Sequence, residues 1–387
     1  MDNKSIPYAK QFVSDKDIEA VERVLHSALI TQGPEAKKFE KSFADFSNSK
    51  FAASVCNGTA ALHLCACTLG IKPGDIIITT PITFVASANG FRYCGAEVIF
   101  CDIDPQTYLL DLNKLEVILK KYPIGTVKAV VPVDFAGYPF DVESLKILSD
   151  KYQFKIVEDA CHAPGAWFID TKNNKTICGN GEYSDMAVFS FHPAKHITAG
   201  EGGMITTNQE SYFDKINFYR THGIKKYPEV RDANSGAWYQ EMLELGYNYR
   251  ITDFQAALGH SQLQRIDWNL QRRNEIAQRY DEAFSRYNQI VIPYRASNIY
   301  HAFHLYVIQV EKRKELFDFL VSYRIIPQIH YCPAHLMPYY KEDGWKEGDF
   351  PNAENYYEHC LSLPMYPTLT DEEQQWVIDK VVEFVTQ

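Results

Sequence analysis

Through its first half the chain alternates short apolar runs with longer stretches of mixed polarity. Residues 51–56, 75–80, 96–101, 128–133, 154–157, 186–189 and 204–207 are rich in valine, isoleucine, phenylalanine and alanine, with little strict alternation. Runs of that length, separated by helical stretches such as residues 60–69, predict strands covered on both faces. The fold class that follows is α/β, a mostly parallel central sheet with helices on both sides.

After residue 221 the pattern changes. A polar, charged and aromatic stretch continues to residue 246, and a loop of that length is expected to be either functional or disordered. Residues 253–287 predict a long helix or helix pair, entered at Ile251-Thr252-Asp253. Beyond it the pattern predicts a strand over 304–310, a helix over 312–323, a strand over 326–331 and a terminal helix from Asp371. The expected organisation is a large α/β domain over 1–250 and a smaller α+β domain over 251–387, as a chain of 387 residues allows.

Composition narrows the function classes. An apolar share of 46% supports a packed core and excludes global disorder. A net charge of -10 argues against a general binder of nucleic acid or anionic membrane, and directs attention to small molecules. The first eight residues lack the apolar core of a signal peptide, and no apolar run approaches the ~18–20 residues of a membrane span, so a cytoplasmic location is expected. Nine cysteines without CxxC spacing are expected to be buried free thiols, with no metal site. His192 and His196 stand four apart, but Pro193 disfavours a helix between them and no third ligand is evident.

Two residues suggest the chemistry. A lysine traps carbonyls only where its amine can lose a proton, and a carboxylate set apart from it can keep a cofactor nitrogen protonated. Lys195 and Asp159, at the end of a predicted strand, together suggest pyridoxal phosphate. Gly58 and Thr59 lie between a predicted strand and helix, where free N–H groups can hold a phosphate. Phe84 follows another strand and could stack on a flat ring. On the residues alone, Thr59 serves equally as a helix cap, Phe84 as core and His162 as a structural histidine. Glu158 reads as a capping or surface acid.

These segments resemble the DegT/DnrJ/StrS sugar aminotransferases, a fold-type I family dependent on pyridoxal phosphate. The motifs occur in the family's order: Leu29-Ile30-Thr31-Gln32-Gly33-Pro34, Asn57-Gly58-Thr59-Ala60-Ala61-Leu62, Glu158-Asp159-Ala160, Ser190-Phe191-His192 with Lys195, Gly200-Glu201-Gly202-Gly203, and Gly246-Tyr247-Asn248-Tyr249-Arg250. The resemblance implies that Lys195 carries the cofactor and Asp159 bonds its pyridine nitrogen. It further implies that Gly58, Thr59, Ala60 and Ser190 hold the phosphate, Phe84 stacks on the ring and His162 lies near its hydroxyl. Asn248 would reach the phosphate of a neighbouring subunit, implying a homodimer with shared sites.

Within the family the chain is most similar to PseC-type enzymes, through Thr80-Pro81-Ile82-Thr83-Phe84-Val85-Ala86-Ser87, Arg220-Thr221-His222-Gly223 and Ile329-His330-Tyr331. Those enzymes use L-glutamate to aminate C4 of a UDP-linked 4-keto-6-deoxy-N-acetyl sugar. Arg220, His222, Trp238, Tyr239, Arg250, His330 and Tyr331 are the expected sugar contacts. Perosamine- and bacillosamine-type aminotransferases share the cofactor motifs and remain alternatives. Sugar dehydratases of this fold have histidine in place of the lysine, and a non-catalytic sensor would be expected to lack Asp159 or Lys195.

Overall fold

Strand formation follows the apolar runs closely. The computed structural model describes residues 5–226 and 238–387. Seven strands, β1 (Phe51–Val55), β2 (Ile76–Thr79), β3 (Glu97–Phe100), β4 (Val127–Val131), β5 (Lys155–Asp159), β6 (Met186–Ser190) and β7 (Gly203–Thr207), form one sheet in the order β1-β7-β6-β5-β4-β2-β3. β7 is antiparallel to both neighbours, and the other pairings are parallel. Every residue of β2 and β7 is buried, as a sheet packed on both faces requires. At Gly203 a Cβ would stand 2.7 Å from the Asn57 carbonyl carbon, so glycine lets β7 begin this close to the turn after β1.

Two distant motifs meet at the helix Pro34–Ser47. The Asp253 carboxylate accepts the N–H groups of Gly33 and, at 3.0 Å, of Ala36, and so caps that helix from across the sequence. Asp253 also opens its own helix, Asp253–Leu263, where Thr252 and Gln255 form a capping box. The expected helix pair is completed by Ile266–Phe284.

A second core gathers Ile276, Tyr280 and Phe284 against Leu316, Leu320, Val377 and Val381. Its strands Tyr306–Gln309 and Cys360–Leu363 pair antiparallel. Ile6 joins this core, because Ile6–Pro7 pairs in parallel with Ile325–Ile326.

Three expectations are corrected. The strand expected over 326–331 stops at Ile326, and the chain beyond it leaves the ladder so that His330 bonds Ser362 and Tyr331 bonds His162. Within the expected loop, Ile224–Lys226 pairs with Gln240–Met242, placing Lys225 opposite Glu241. Cys65, Cys101, Cys178 and Cys360 are buried free thiols, whereas Cys56, Cys67, Cys94, Cys161 and Cys332 are only partly covered. Among the described residues, no helix is long and apolar enough to cross a membrane.

Candidate active site

β5 and β6 lie side by side in parallel and end at Asp159 and Ser190. In open α/β sheets the ligand crevice forms beyond such carboxyl ends. A cavity of about 460 Å³ occupies that position. Its wall includes Gly58, Thr59, Phe84, Asp159, His162, Ser190 and Lys195, together with His330 and Tyr331 from the C-terminal third.

At one side the helix Gly58–Leu69 points its N-terminus at the cavity. The Asn57 side chain accepts the Ala60 N–H at 2.8 Å and its carbonyl accepts that of Ala61. The N–H groups of Gly58 and Thr59 are left for an anion. Ala60 is buried and absent from the cavity wall. A Cβ on Gly58 would stand 3.2 Å from that of Ser190, so the missing side chain keeps this corner open.

Asp159 is buried with its carboxylate held at both oxygens. Oδ2 accepts the Ser87 hydroxyl at 2.5 Å and Oδ1 accepts the Cys161 N–H at 3.2 Å. Glu158 faces the opposite way, buried and bonded to the Gly179 N–H and the Ser184 hydroxyl. It is therefore an interior acid and not a surface one.

His162 has a defined tautomer. Its Nδ1 accepts the Ala136 N–H at 3.2 Å, so the proton sits on Nε2 and is donated to the Tyr331 hydroxyl at 3.2 Å. Burial drives the pKa of His162 and His304 well below the usual histidine range and that of His330 to about 3. All three rings are neutral at pH 7.

Lys195 follows β6, with its amide bonded to the His192 carbonyl at 2.8 Å and its Nζ 3.3 Å from His304 Nε2. Burial lowers its pKa to about 8, and Arg273 pushes in the same direction while Cys161 and Asp159 oppose. Arg273 is fully buried and bonds the carbonyls of Phe303, His304 and Met365 and the side chain of Asn269, with no carboxylate partner among the described residues. His196 donates Nε2 to the Ala302 carbonyl at 2.8 Å, and His192 is exposed, so the two make no metal pair.

The remaining candidates lie elsewhere. Arg220 binds Glu40 at 2.6 Å and the Ser54 carbonyl at 2.5 Å, and neither it nor Arg250 lines the cavity. His222 and Asn248 are exposed, as are Trp238 and Tyr239. Sequence reasoning missed His304, Tyr8 and Ser87. His304 carries no local signal beyond its pairing with His301 in His301-Ala302-Phe303-His304. Tyr8 directly follows the strand Ile6–Pro7, whose pairing with Ile325–Ile326 brings it to the wall.

These residues fit pyridoxal phosphate: a lysine amine near neutrality in a covered wall, a buried carboxylate, and free helix amides for a phosphate. Residues 12–382 match the DegT/DnrJ/EryC1/StrS aminotransferase family. The chain belongs to that family. It is an aminotransferase with the fold-type I architecture. The spore coat polysaccharide biosynthesis protein SpsC of Bacillus subtilis is 39% identical, with 99% of this chain and 98% of that protein covered. A Campylobacter jejuni protein, UDP-4-amino-4,6-dideoxy-N-acetyl-beta-L-altrosamine transaminase, is 34% identical over 97% of this chain and 96% of its own. The solved PLP-form of Spr1654 from Streptococcus pneumoniae superposes with a TM-score of 0.89 at 27% identity, covering 99% of this chain and 100% of that one. The relatives thus extend beyond the PseC type, and SpsC is more similar than the Campylobacter transaminase.

If Arg220 serves the fold and not the sugar, Arg220→Ala strands a largely covered carboxylate on Glu40. Removing one partner of such a pair costs about 3 kcal/mol. Thermal unfolding should show the loss, while KM for the sugar stays within about twofold; a KM rise without destabilisation would reverse the assignment.

Proposed function

We propose that this aminotransferase uses pyridoxal phosphate to move the amino group of L-glutamate to C4 of a UDP-linked 4-keto-6-deoxy-N-acetylhexosamine. The observation that carries this reading is the convergence of Lys195, Asp159 and the Gly58-Thr59 amides on one cavity. Bound there, the cofactor supplies an aldehyde carbon to take the amine and a ring to accept the electrons of a breaking C–H bond. The Gly58 and Thr59 amides with the Ser190 hydroxyl bind the phosphate. Phe84, more than half exposed on the cavity rim, covers the ring face. The Asp159 carboxylate holds the positive charge on the ring nitrogen. The Nε2–H of His162, already shared with Tyr331, orients the ring hydroxyl.

Lys195 has two tasks, as covalent anchor and as the base that moves a proton at the substrate carbon. Its neutral amine is required for both. Uptake of pyridoxal phosphate by cofactor-free protein should therefore accelerate as pH rises through about 8 and level off above it, read by absorbance. A rate independent of pH between about 6 and 9 would contradict an amine titrating there.

The sugar assignment rests on the Campylobacter relative and on His330 and Tyr331 in the cavity wall, which stand where a sugar could meet them. A homodimer suits Asn248, which is exposed and would serve the site of a second copy. Incubation with UDP-, dTDP- and GDP-linked 4-keto sugars and glutamate, followed by mass spectrometry, tests the choice. Amination of the UDP-linked N-acetyl sugar is expected; amination of a GDP sugar alone would replace the reading with a perosamine-type one.

A further inference from the structure

Behind the cofactor cavity, two helices bring three metal-ligating side chains together. His63 and Cys67 stand four residues apart on the helix Gly58–Leu69, so they share one face. Cys94 comes just after the helix Ala86–Arg92. One ring nitrogen of His63 and the Sγ atoms of Cys67 and Cys94 all lie within 4.8 Å of one another. The two sulfurs are 3.8 Å apart. Two thiolates bound to a tetrahedral zinc at about 2.3 Å each stand about 3.8 Å from one another, whereas a disulfide needs about 2.05 Å. The spacing matches a shared ion better than a bond.

We infer that His63, Cys67 and Cys94 form a binding site for one zinc-class divalent ion, which staples the two helices behind the cofactor pocket. The surroundings agree with such a site. The donor set is imidazole and thiolate, the choice of a borderline-soft cation and not of magnesium or calcium. His63 Nδ1 lies 3.1 Å from the Tyr249 hydroxyl, an outer partner that fixes the ring. Cys67 and Cys94 are partly exposed, which gives the ion a way in. Three protein ligands leave the fourth position of a tetrahedral ion open to water, and the Tyr247 oxygen lies 3.9 Å from Cys67 Sγ.

The placement gives the site a consequence. One stapled helix presents Gly58 and Thr59 to the cavity; the other carries Ser87, the partner of Asp159. The absence of CxxC spacing concealed this cluster, because the third ligand follows a different helix.

The test uses reduced, chelator-treated protein loaded with pyridoxal phosphate. Cobalt chloride should give intense tetrahedral bands in the red at one ion per chain, displaced by zinc. Loss of an outer partner alone weakens metal sites about 10–100-fold, so Cys94→Ser should weaken this one by at least ~100-fold, with Cys332→Ser unchanged. In the unaltered holoenzyme, zinc should also shield Cys67 and Cys94 from alkylation while Cys332 labels normally, which needs no variant to fold. A spectrum of aqueous cobalt, bands that survive Cys94→Ser, or equal labelling with and without zinc would each overturn the inference.

Discussion

Lys195→Ala is expected to lower turnover by at least ~10⁴-fold, the upper end of what a proton-transferring group contributes, because the residue is also the covalent anchor. Borohydride should no longer fix the cofactor to the chain. The same substitution should leave the stability of the cofactor-free protein unchanged or raised. Burial depresses the Lys195 pKa from 10.5 to about 8, so the folded state resists a proton that the unfolded chain accepts. That penalty is fully present below pH 8 and vanishes as pH rises through 10.5. Removing the amine at neutral pH removes the penalty. A loss of activity accompanied by an equal loss of folded protein would mean that Lys195 is a structural residue, and the proposed chemistry would fail with it.

Burial is the main reason the amine is held near neutrality, and Arg273 adds to it. The Arg273 guanidinium is buried among carbonyls and lacks an acid partner among the described residues, and it bonds the His304 carbonyl beside the Lys195 amine. Desolvation and a fixed positive charge act in the same direction on Lys195. The neighbouring imidazoles are neutral, so none of them adds a competing charge.

The strands and their ends were legible because each is a short apolar run closed by polar residues, and Asp159 and Ser190 stand where such runs stop. The mixed direction of the sheet was not, since the antiparallel β7 has the same apolar character as its parallel neighbours. Lys195, Asp159 and the Gly58 turn were weak signals one by one, and the order of the motifs around them gave them their expected roles. His304 had no such context: its importance comes from a packing of the C-terminal third against Lys195 that no periodicity encodes. The partners of Arg220, Glu40 and Ser54, were not legible either, because they lie far off in sequence.

Asp159→Asn separates charge from shape. The side chain keeps its size, and Ser87, which also shares a hydrogen bond with Thr83 at 2.7 Å, can turn to accept from the new amide. The fold should therefore persist. The negative charge goes, and with it the group proposed to keep the ring nitrogen protonated. Removing one preorganised electrostatic partner at a reacting centre costs about 10²–10³-fold in kcat. The expected variant has that loss in kcat, a KM for the sugar within about threefold, and a cofactor that borohydride still fixes to Lys195. This pattern differs from that of Lys195→Ala, which loses both turnover and covalent attachment. If Asp159→Asn keeps kcat within about tenfold, the carboxylate's place is structural, through Ser87 and the Cys161 amide, and another group must hold the ring nitrogen.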